Sequence, residues 1–194
     1  PSRWNVPTTF KNHQTMLKEA APDIVSICTP DQTHFSVARD VLMAESVRGV
    51  LAEKPLALDF AEARILVESG NSQAIPVLVN YSRRFDPAYQ SLMREIQRGS
   101  LGTIQTVTGF YGKGLWHNGT HWLDLARFLF GPVSWVSAEP TEWSFGDDAT
   151  LNVWLGMESG FTAHLMGTDA DLFSLFEMER LYPQQSFHIY YYNP

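Results

Sequence analysis

The chain has 194 residues, of which 44% are hydrophobic and 18% charged, a composition typical of a folded globular protein and not of a disordered one. The net charge of −7 disfavours a nucleic-acid backbone or an anionic membrane surface as a partner, because both attract clustered lysine and arginine. The single cysteine, Cys28, excludes a disulfide framework within this sequence, and no apolar run approaches the roughly 20 residues of a membrane-spanning helix. We therefore expect a cytoplasmic protein with no nucleic-acid or membrane partner.

The first 81 residues alternate between helix-like and strand-like patterns. A partial helix face lies near Phe10, with Thr8 or Thr9 as a possible N-cap. Asp31 and Asp59 are candidate caps of two later helices. The remaining elements are a strand over 24–28, a helix over 35–43, a strand over 50–52, a helix closed by Gly70 and a strand over 75–81. Strand–helix alternation of this kind predicts a parallel βαβαβ unit.

The pattern changes after Tyr81. Phe85-Asp86-Pro87 opens a helix that stops near Gly99, and a second helix over 122–130 is stopped by Gly131-Pro132. Strand-like runs fill much of the rest, over 104–110, 133–138, 149–155, 160–166 and 172–178. We predict an α/β part followed by an α+β part: a partial Rossmann-like domain over 1–81, and a second domain over 82–194 with a mainly antiparallel open sheet.

The stretch Glu53-Lys54-Pro55 follows the apolar run that ends at Ala52. The carboxyl edge of a parallel sheet is where ligands usually bind in open α/β proteins, so a charged pair at this point is a candidate site. Pro55 restricts the backbone of Lys54 and thereby directs the lysine. An ordinary solvated strand end explains the same residues about equally well.

A second polar group, Thr29 to His34, follows the preceding strand and is expected at the same sheet edge. Taken alone, it is better explained as a strand-to-helix turn in which Asp31 caps the helix.

A third group runs from His117 to Asp124. His121 and Asp124 are three positions apart and share a face in a helix, so the carboxylate could orient the histidine as a base near neutral pH. Asn118 or Thr120 could instead cap the helix, with Asp124 in a salt bridge. A metal site at His117, His121 and Asp124 is only weakly suggested.

Together these motifs, in this order, resemble the Gfo/Idh/MocA oxidoreductases, the relatives of glucose-fructose oxidoreductase and myo-inositol dehydrogenase. The resemblance runs from about Trp4 to near Gly167. The matching stretches are Asp23 to Pro30, His34, Glu53-Lys54-Pro55-Leu56, Arg84-Phe85-Asp86-Pro87, Gly119-Thr120-His121 with Asp124, and Arg127 to Gly131.

The resemblance implies an NAD- or NADP-dependent dehydrogenase that acts on a sugar, polyol or related alcohol. Lys54 would polarise or deprotonate the carbinol, and His121 would take its proton. The residues expected on the cofactor side are Thr29, Pro30, His34, Glu53 and Lys54, and those expected on the substrate side are Arg84, His117, Asn118 and Asp124. We expect Lys54 and His121 to face one cleft, and no metal to take part.

Two departures from the family pattern matter. His117 stands where many relatives carry an aspartate, which alters the expected proton relay. The glycine-rich turn that places a pyrophosphate on a helix N-terminus is not found, since the first glycine is Gly49. We therefore expect this sequence to be a fragment of a longer enzyme. The alternative is a non-catalytic relative that binds a sugar-like ligand or a protein partner.

A homo-oligomer, a dimer or tetramer that pairs through the open sheet, is expected on two grounds. The second half offers few helices to cover its sheet, and Trp135, Trp143, Trp154 and Phe161 add apolar surface there. The resemblance implies the same assembly.

Overall fold

The computed structural model describes residues 5–172, together with the backbone of two strands over 176–181 and 186–190. The chain divides into two compact units, Pro1–Asn80 and Tyr81–Pro194, each with its own hydrophobic core. Among the described residues, no helix has the length and apolar character needed to cross a membrane.

The first unit is built on a three-stranded parallel sheet in the order β1-β2-β3. Its strands are β1 (Ile24–Ile27), β2 (Gly49–Ala52) and β3 (Val77–Val79), and its helices are α1 (His13–Ala20), α2 (His34–Leu42) and α3 (Phe60–Ser72). In the central register Val50 lies opposite Val25 on one side and Val77 on the other. The predicted parallel βαβαβ order is confirmed.

The core of this unit follows from residue spacing. Val25, Ile27, Val50 and Ala52 are buried, as expected when alternate positions of neighbouring strands point to one face. Helix α2 covers them with a buried stripe at the spacing of one helix face: His34, Val37, Ala38 and Val41.

The second unit carries a six-stranded sheet and two helices, α4 (Pro87–Gln97) and α5 (Thr120–Phe130). Its strands are β4 (Thr106–Tyr111), β5 (Val133–Phe145), β6 (Asp148–Met157), β7 (Thr162–Gly167), β8 (Phe176–Leu181) and β9 (Ser186–Tyr190). They lie in the order β5-β6-β7-β4-β8-β9. Strand β4 is parallel to β7, and the other neighbouring pairs are antiparallel, so the predicted mainly antiparallel sheet is confirmed.

Helix α5 packs on this sheet through Trp122, Leu125, Ala126 and Leu129, whose spacing places them along one buried helix face. The indole of Trp122 lies directly against Gly109 of β4, where a Cβ would come within 1.7 Å of the ring nitrogen. Gly109 is therefore the position that lets the largest buried side chain approach the sheet.

Two of the predicted helix caps are wrong. Helix α1 begins after Asn12, whose Oδ1 accepts from the amide of Thr15 at 2.8 Å, so neither Thr8 nor Thr9 is the cap. Asp31 lies in a separate 3₁₀ turn, Asp31–Thr33, and the N-cap of α2 is Thr33, with no side-chain capping hydrogen bond. The predicted cap Asp59 is confirmed, because it accepts from the amides of Ala61 and Glu62.

Several predicted ends are also wrong. Helix α3 continues past Gly70 to Ser72, because Gly70 lies buried against the chain at Ile75 and Val77 and does not terminate the helix. Strand β1 stops at Ile27, which leaves Cys28 exposed. The other wrong ends belong to strands, whose bounds depend on hydrogen bonding to neighbouring strands more than on the length of an apolar run. Strand β3 covers only Val77–Val79, β5 runs on to Phe145, and the strand predicted to end at residue 178 continues to Leu181. Residues 173–175 of that predicted run lie outside the described residues.

We predict that Gly109→Ala lowers the free energy of unfolding by about 1–3 kcal/mol, because the added methyl group collides with a fully buried indole. Gly49→Ala is the matched control, since a Cβ there meets nothing closer than 3.9 Å. Thermal denaturation of both variants measures the difference. Equal melting temperatures would contradict the packing described for Trp122.

Candidate active site

In the first unit, polar side chains follow the ends of all three strands. The ladder extends one residue past β2 and β3, since the amide of Glu53 donates to Ile27 O at 2.9 Å and that of Asn80 to Ala52 O at 2.8 Å. The side chains of these two residues then meet, with Asn80 Nδ2 donating to Glu53 Oε1 at 2.8 Å. Sequence reasoning missed Asn80. Its position directly after Val79 at the same sheet edge was the available signal.

His34 connects the turns that follow β1 and β2. Its ring is only 1% exposed, with Nδ1 2.6 Å from Pro55 O and Nε2 2.8 Å from Thr29 O. Both ring nitrogens therefore face carbonyl oxygens, and a neutral ring can donate to only one of them. One buried imidazole thus lies within hydrogen-bond distance of the backbone on both sides of the candidate site.

Lys54 lies between two residues that are each held by a hydrogen-bond contact, Glu53 and Pro55. The residue before it is held by Asn80, and the residue after it is the buried Pro55, joined by a cis peptide bond and held through its carbonyl by His34. Lys54 itself is partly exposed. The backbone that presents the lysine is therefore fixed by contacts of both neighbouring residues.

The turn after β1 has an internal hydrogen-bond network. Thr33 Oγ1 lies 2.9 Å from Thr29 Oγ1 and 2.7 Å from Pro30 O. Thr29 and Pro30 are both exposed, so they present a hydroxyl and a rigid ring to solvent at the sheet edge.

In the second unit, Arg84 and Asp124 form a two-pronged ion pair. Arg84 Nε donates to Asp124 Oδ2 at 2.7 Å and Nη2 to Oδ1 at 2.5 Å. The carboxylate raises the pKa of Arg84 above its ordinary value. The Arg84 guanidinium also lies 5.5 Å from the ring centroid of Phe128. Of the two interpretations left open for Asp124, the salt bridge is confirmed.

His121 lies in the first turn of α5, with its ring edge-on to Tyr81 at a centroid distance of 6.0 Å. Burial, with a smaller contribution from the charge of Asp124, raises the pKa of Tyr81 above its ordinary value. The phenol therefore stays protonated near neutral pH.

A π-helical turn, Leu115–Gly119, precedes α5 and carries His117 and Asn118. Neither predicted cap serves α5, since Asn118 Nδ2 donates to Gly112 O and Thr120 Oγ1 donates to Trp116 O. These two caps are wrong because the helical path begins upstream of them. His117 is exposed, and its ring lies 5.2 Å from that of Phe145.

The structure thus groups the site residues within each unit. Glu53, Lys54 and His34 share one sheet edge with Thr29, while Arg84, Asp124 and His121 share the start of α5. The convergence of Lys54 and His121, which belong to different units, stays a prediction. In the described part of the chain, no group of three His, Cys, Asp or Glu side chains is placed to hold a metal ion.

Two models of one protein family match the chain. The model described as "Oxidoreductase family, NAD-binding Rossmann fold" covers residues 1–81, and the model of the GFO/IDH/MocA C-terminal domain covers residues 110–179. The boundary between the matched regions agrees with the change of architecture that the structure shows after Asn80.

Characterised relatives are dehydrogenases by name. D-apiose dehydrogenase of Paraburkholderia graminis is 26% identical over 185 residues, which cover 82% of this chain and 47% of that protein. Inositol 2-dehydrogenase of Rhizobium meliloti is 33% identical over 134 residues, which cover 60% of this chain and 40% of that protein. The chain therefore spans about half the length, or less, of these curated relatives.

Solved structures share the fold. The crystal structure of a putative myo-inositol dehydrogenase from Sinorhizobium meliloti 1021 superposes with a TM-score of 0.76 and 25% identity, over 93% of this chain and 61% of that one. Both family models, the named relatives and the shared fold agree with the sequence motifs. The chain belongs to the Gfo/Idh/MocA family of oxidoreductases.

Proposed function

We propose that this chain forms part of an NAD- or NADP-dependent dehydrogenase that transfers a hydride between the nicotinamide and a sugar, polyol or related alcohol. The observation that carries the proposal is the sheet edge of the first unit. There Lys54 is held between Glu53, bonded to Asn80, and Pro55, bonded to His34. A ligand at the carboxyl edge of a parallel sheet would meet these groups directly.

The residues present fit the nicotinamide end of a dinucleotide. The Thr29 hydroxyl, the Glu53 carboxylate and the Asn80 amide offer both acceptors and donors at the sheet edge, and Lys54 adds a cation. We assign Thr29, Pro30, Glu53 and Lys54 to the cofactor side, with His34 acting through the two turns that it joins. A bound nicotinamide would supply the hydride acceptor.

The protein's own part in the reaction is proton transfer and charge stabilisation. The Lys54 ammonium polarises the substrate carbinol and stabilises the developing alkoxide, and His121 takes the proton. Tyr81 beside His121 stays protonated near neutral pH because burial raises its pKa, so the phenol is not available to accept the proton and the imidazole is left for that task. We place Arg84, His117, Asn118 and Asp124 on the substrate side, where the ion pair of Arg84 and Asp124 steadies the start of α5.

The assembly and location follow from surface and composition. We propose a homodimer or homotetramer that pairs through the open sheet, because Trp135 on β5 and Met166 on β7 are 49% and 43% exposed. A cytoplasmic location and the lack of nucleic-acid and membrane partners stay predictions from composition.

Lys54→Ala should lower kcat by about 100-fold or more in the full-length enzyme, because the carbinol loses its cation, while cofactor affinity stays largely intact. Reduction of NAD or NADP, followed by absorbance with a panel of sugars and polyols, measures kcat. Lys18→Ala, at the exposed end of α1, is the control and should behave as wild type. If the wild-type protein binds a polyol but reduces neither cofactor, the non-catalytic alternative is correct.

His121→Asn should lower kcat and also remove one limb of the pH–rate profile, because the imidazole that takes the proton is gone. Asparagine keeps a polar side chain but cannot accept the proton. His164→Asn, on β7 beside Trp154, removes another imidazole of the same unit and should retain the limb. Loss of the limb in the control, or its retention in His121→Asn, would assign the proton transfer to a different group.

Sedimentation at high protein concentration tests the assembly. A species of at least two chains is expected, because the apolar residues on β5 and β7 are then covered. A single 22.0 kDa species for this chain would refute the pairing.

A further inference from the structure

We infer that Asp148 and Phe145, at the tip of the β5–β6 hairpin, are positioning residues for the substrate side of the site, an inference that rests on the proposed function. Asp148 lies 31 positions beyond His117 in the sequence, yet its carboxylate accepts from the His117 amide. Phe145, from the same hairpin, lies against the His117 ring. The hairpin therefore contacts both the backbone and the side chain of one proposed substrate-side residue.

The Asp148 carboxylate accepts from two backbone amides of the turn Leu115–Gly119. Asp148 Oδ2 lies 2.8 Å from His117 N, and Oδ1 lies 3.0 Å from Trp116 N. The first amides of a helical turn have no acceptor within the turn, and Gly114, which precedes it, has no side chain to supply one. One carboxylate from a distant hairpin therefore completes the start of the turn.

Gly114 shows how closely this contact is built. Its φ is +76°, a conformation that favours glycine, and a Cβ there would lie 2.2 Å from Asp148 Oδ2. The position needs glycine both for its backbone and for the approach of the carboxylate.

Phe145 contacts the imidazole ring of His117. The two rings lie 5.2 Å apart with an interplanar angle of 30°, and Phe145 pairs with Asp148 in the hairpin ladder. The same pair of hairpin residues thus restrains the backbone of His117 through one contact and its imidazole through the other.

A shift of this turn would be passed on to the start of α5. Thr120 Oγ1 donates to Trp116 O at 2.8 Å, and Thr120 is the first residue of α5, directly before His121, whose ring lies against Tyr81. A misplacement of about 1 Å can cost on the order of 100-fold in rate even when the mutated residue is far from the chemistry.

The test compares Asp148→Ala and Asp148→Asn with Asp147→Ala, which removes the neighbouring exposed carboxylate of the same hairpin turn. In the full-length enzyme, Asp148→Ala should lower kcat/KM for the polyol by roughly 10- to 100-fold and leave KM for the cofactor unchanged. Asparagine keeps one acceptor oxygen, so Asp148→Asn should give an intermediate loss. Phe145→Leu should raise KM for the polyol without affecting the cofactor.

Hydrogen exchange provides a readout that does not depend on activity. Asp148→Ala should speed exchange of the Trp116 and His117 amides by roughly 10-fold or more, whereas Asp147→Ala should not. Faster exchange with unchanged kcat/KM would overturn the positioning role and leave Asp148 a structural cap, and unchanged exchange would overturn the contact itself. A wild-type enzyme that oxidises no alcohol would refute the proposed function, and the positioning role would fall with it even if the exchange result held.

Discussion

The candidate site of the first unit depends on one buried imidazole. His34 lies between the carbonyl of Thr29, after β1, and the carbonyl of Pro55, after β2, and at 1% exposure its contacts with them are shielded from water. Other side-chain contacts hold each turn separately: Thr33 within the first, and Asn80 on Glu53 in the second. The register of the parallel strands brings the strand ends together, and His34 keeps the residues beyond them in place.

In the second unit an ion pair, not a buried histidine, holds the residues of the candidate site. Arg84 and Asp124 pair through two hydrogen bonds at the start of α5, with the Asp124 side chain only 12% exposed. A partly buried pair of this geometry is stronger than an exposed one, because solvent screens it less. The charge of Asp124 adds to burial in raising the pKa of Tyr81, so the phenol stays protonated. Of the two neighbouring rings, Tyr81 is therefore not available as a base, and that role is proposed for His121.

Much of this architecture could be predicted because helices and strands are largely set by the spacing of apolar residues that are close together in the sequence. The apolar run ending at Ala52 and the cap at Asp59 are examples. What depends on distant contacts could not be predicted. Asn118 and Thr120 failed as caps because Asp148, 28 residues or more along the chain, serves the turn that precedes α5. Asp31 failed for a local reason, because it belongs to a 3₁₀ turn that precedes α2.

We propose that Lys54 and His121 serve one substrate hydroxyl. A crystal structure of the full-length protein with a nicotinamide cofactor and a polyol would test this proposal. We expect Lys54 Nζ and a ring nitrogen of His121 each to lie about 2.6–3.2 Å from the same carbinol oxygen, directly or through one water. A carbinol oxygen contacted by only one of them, or by neither, would contradict it.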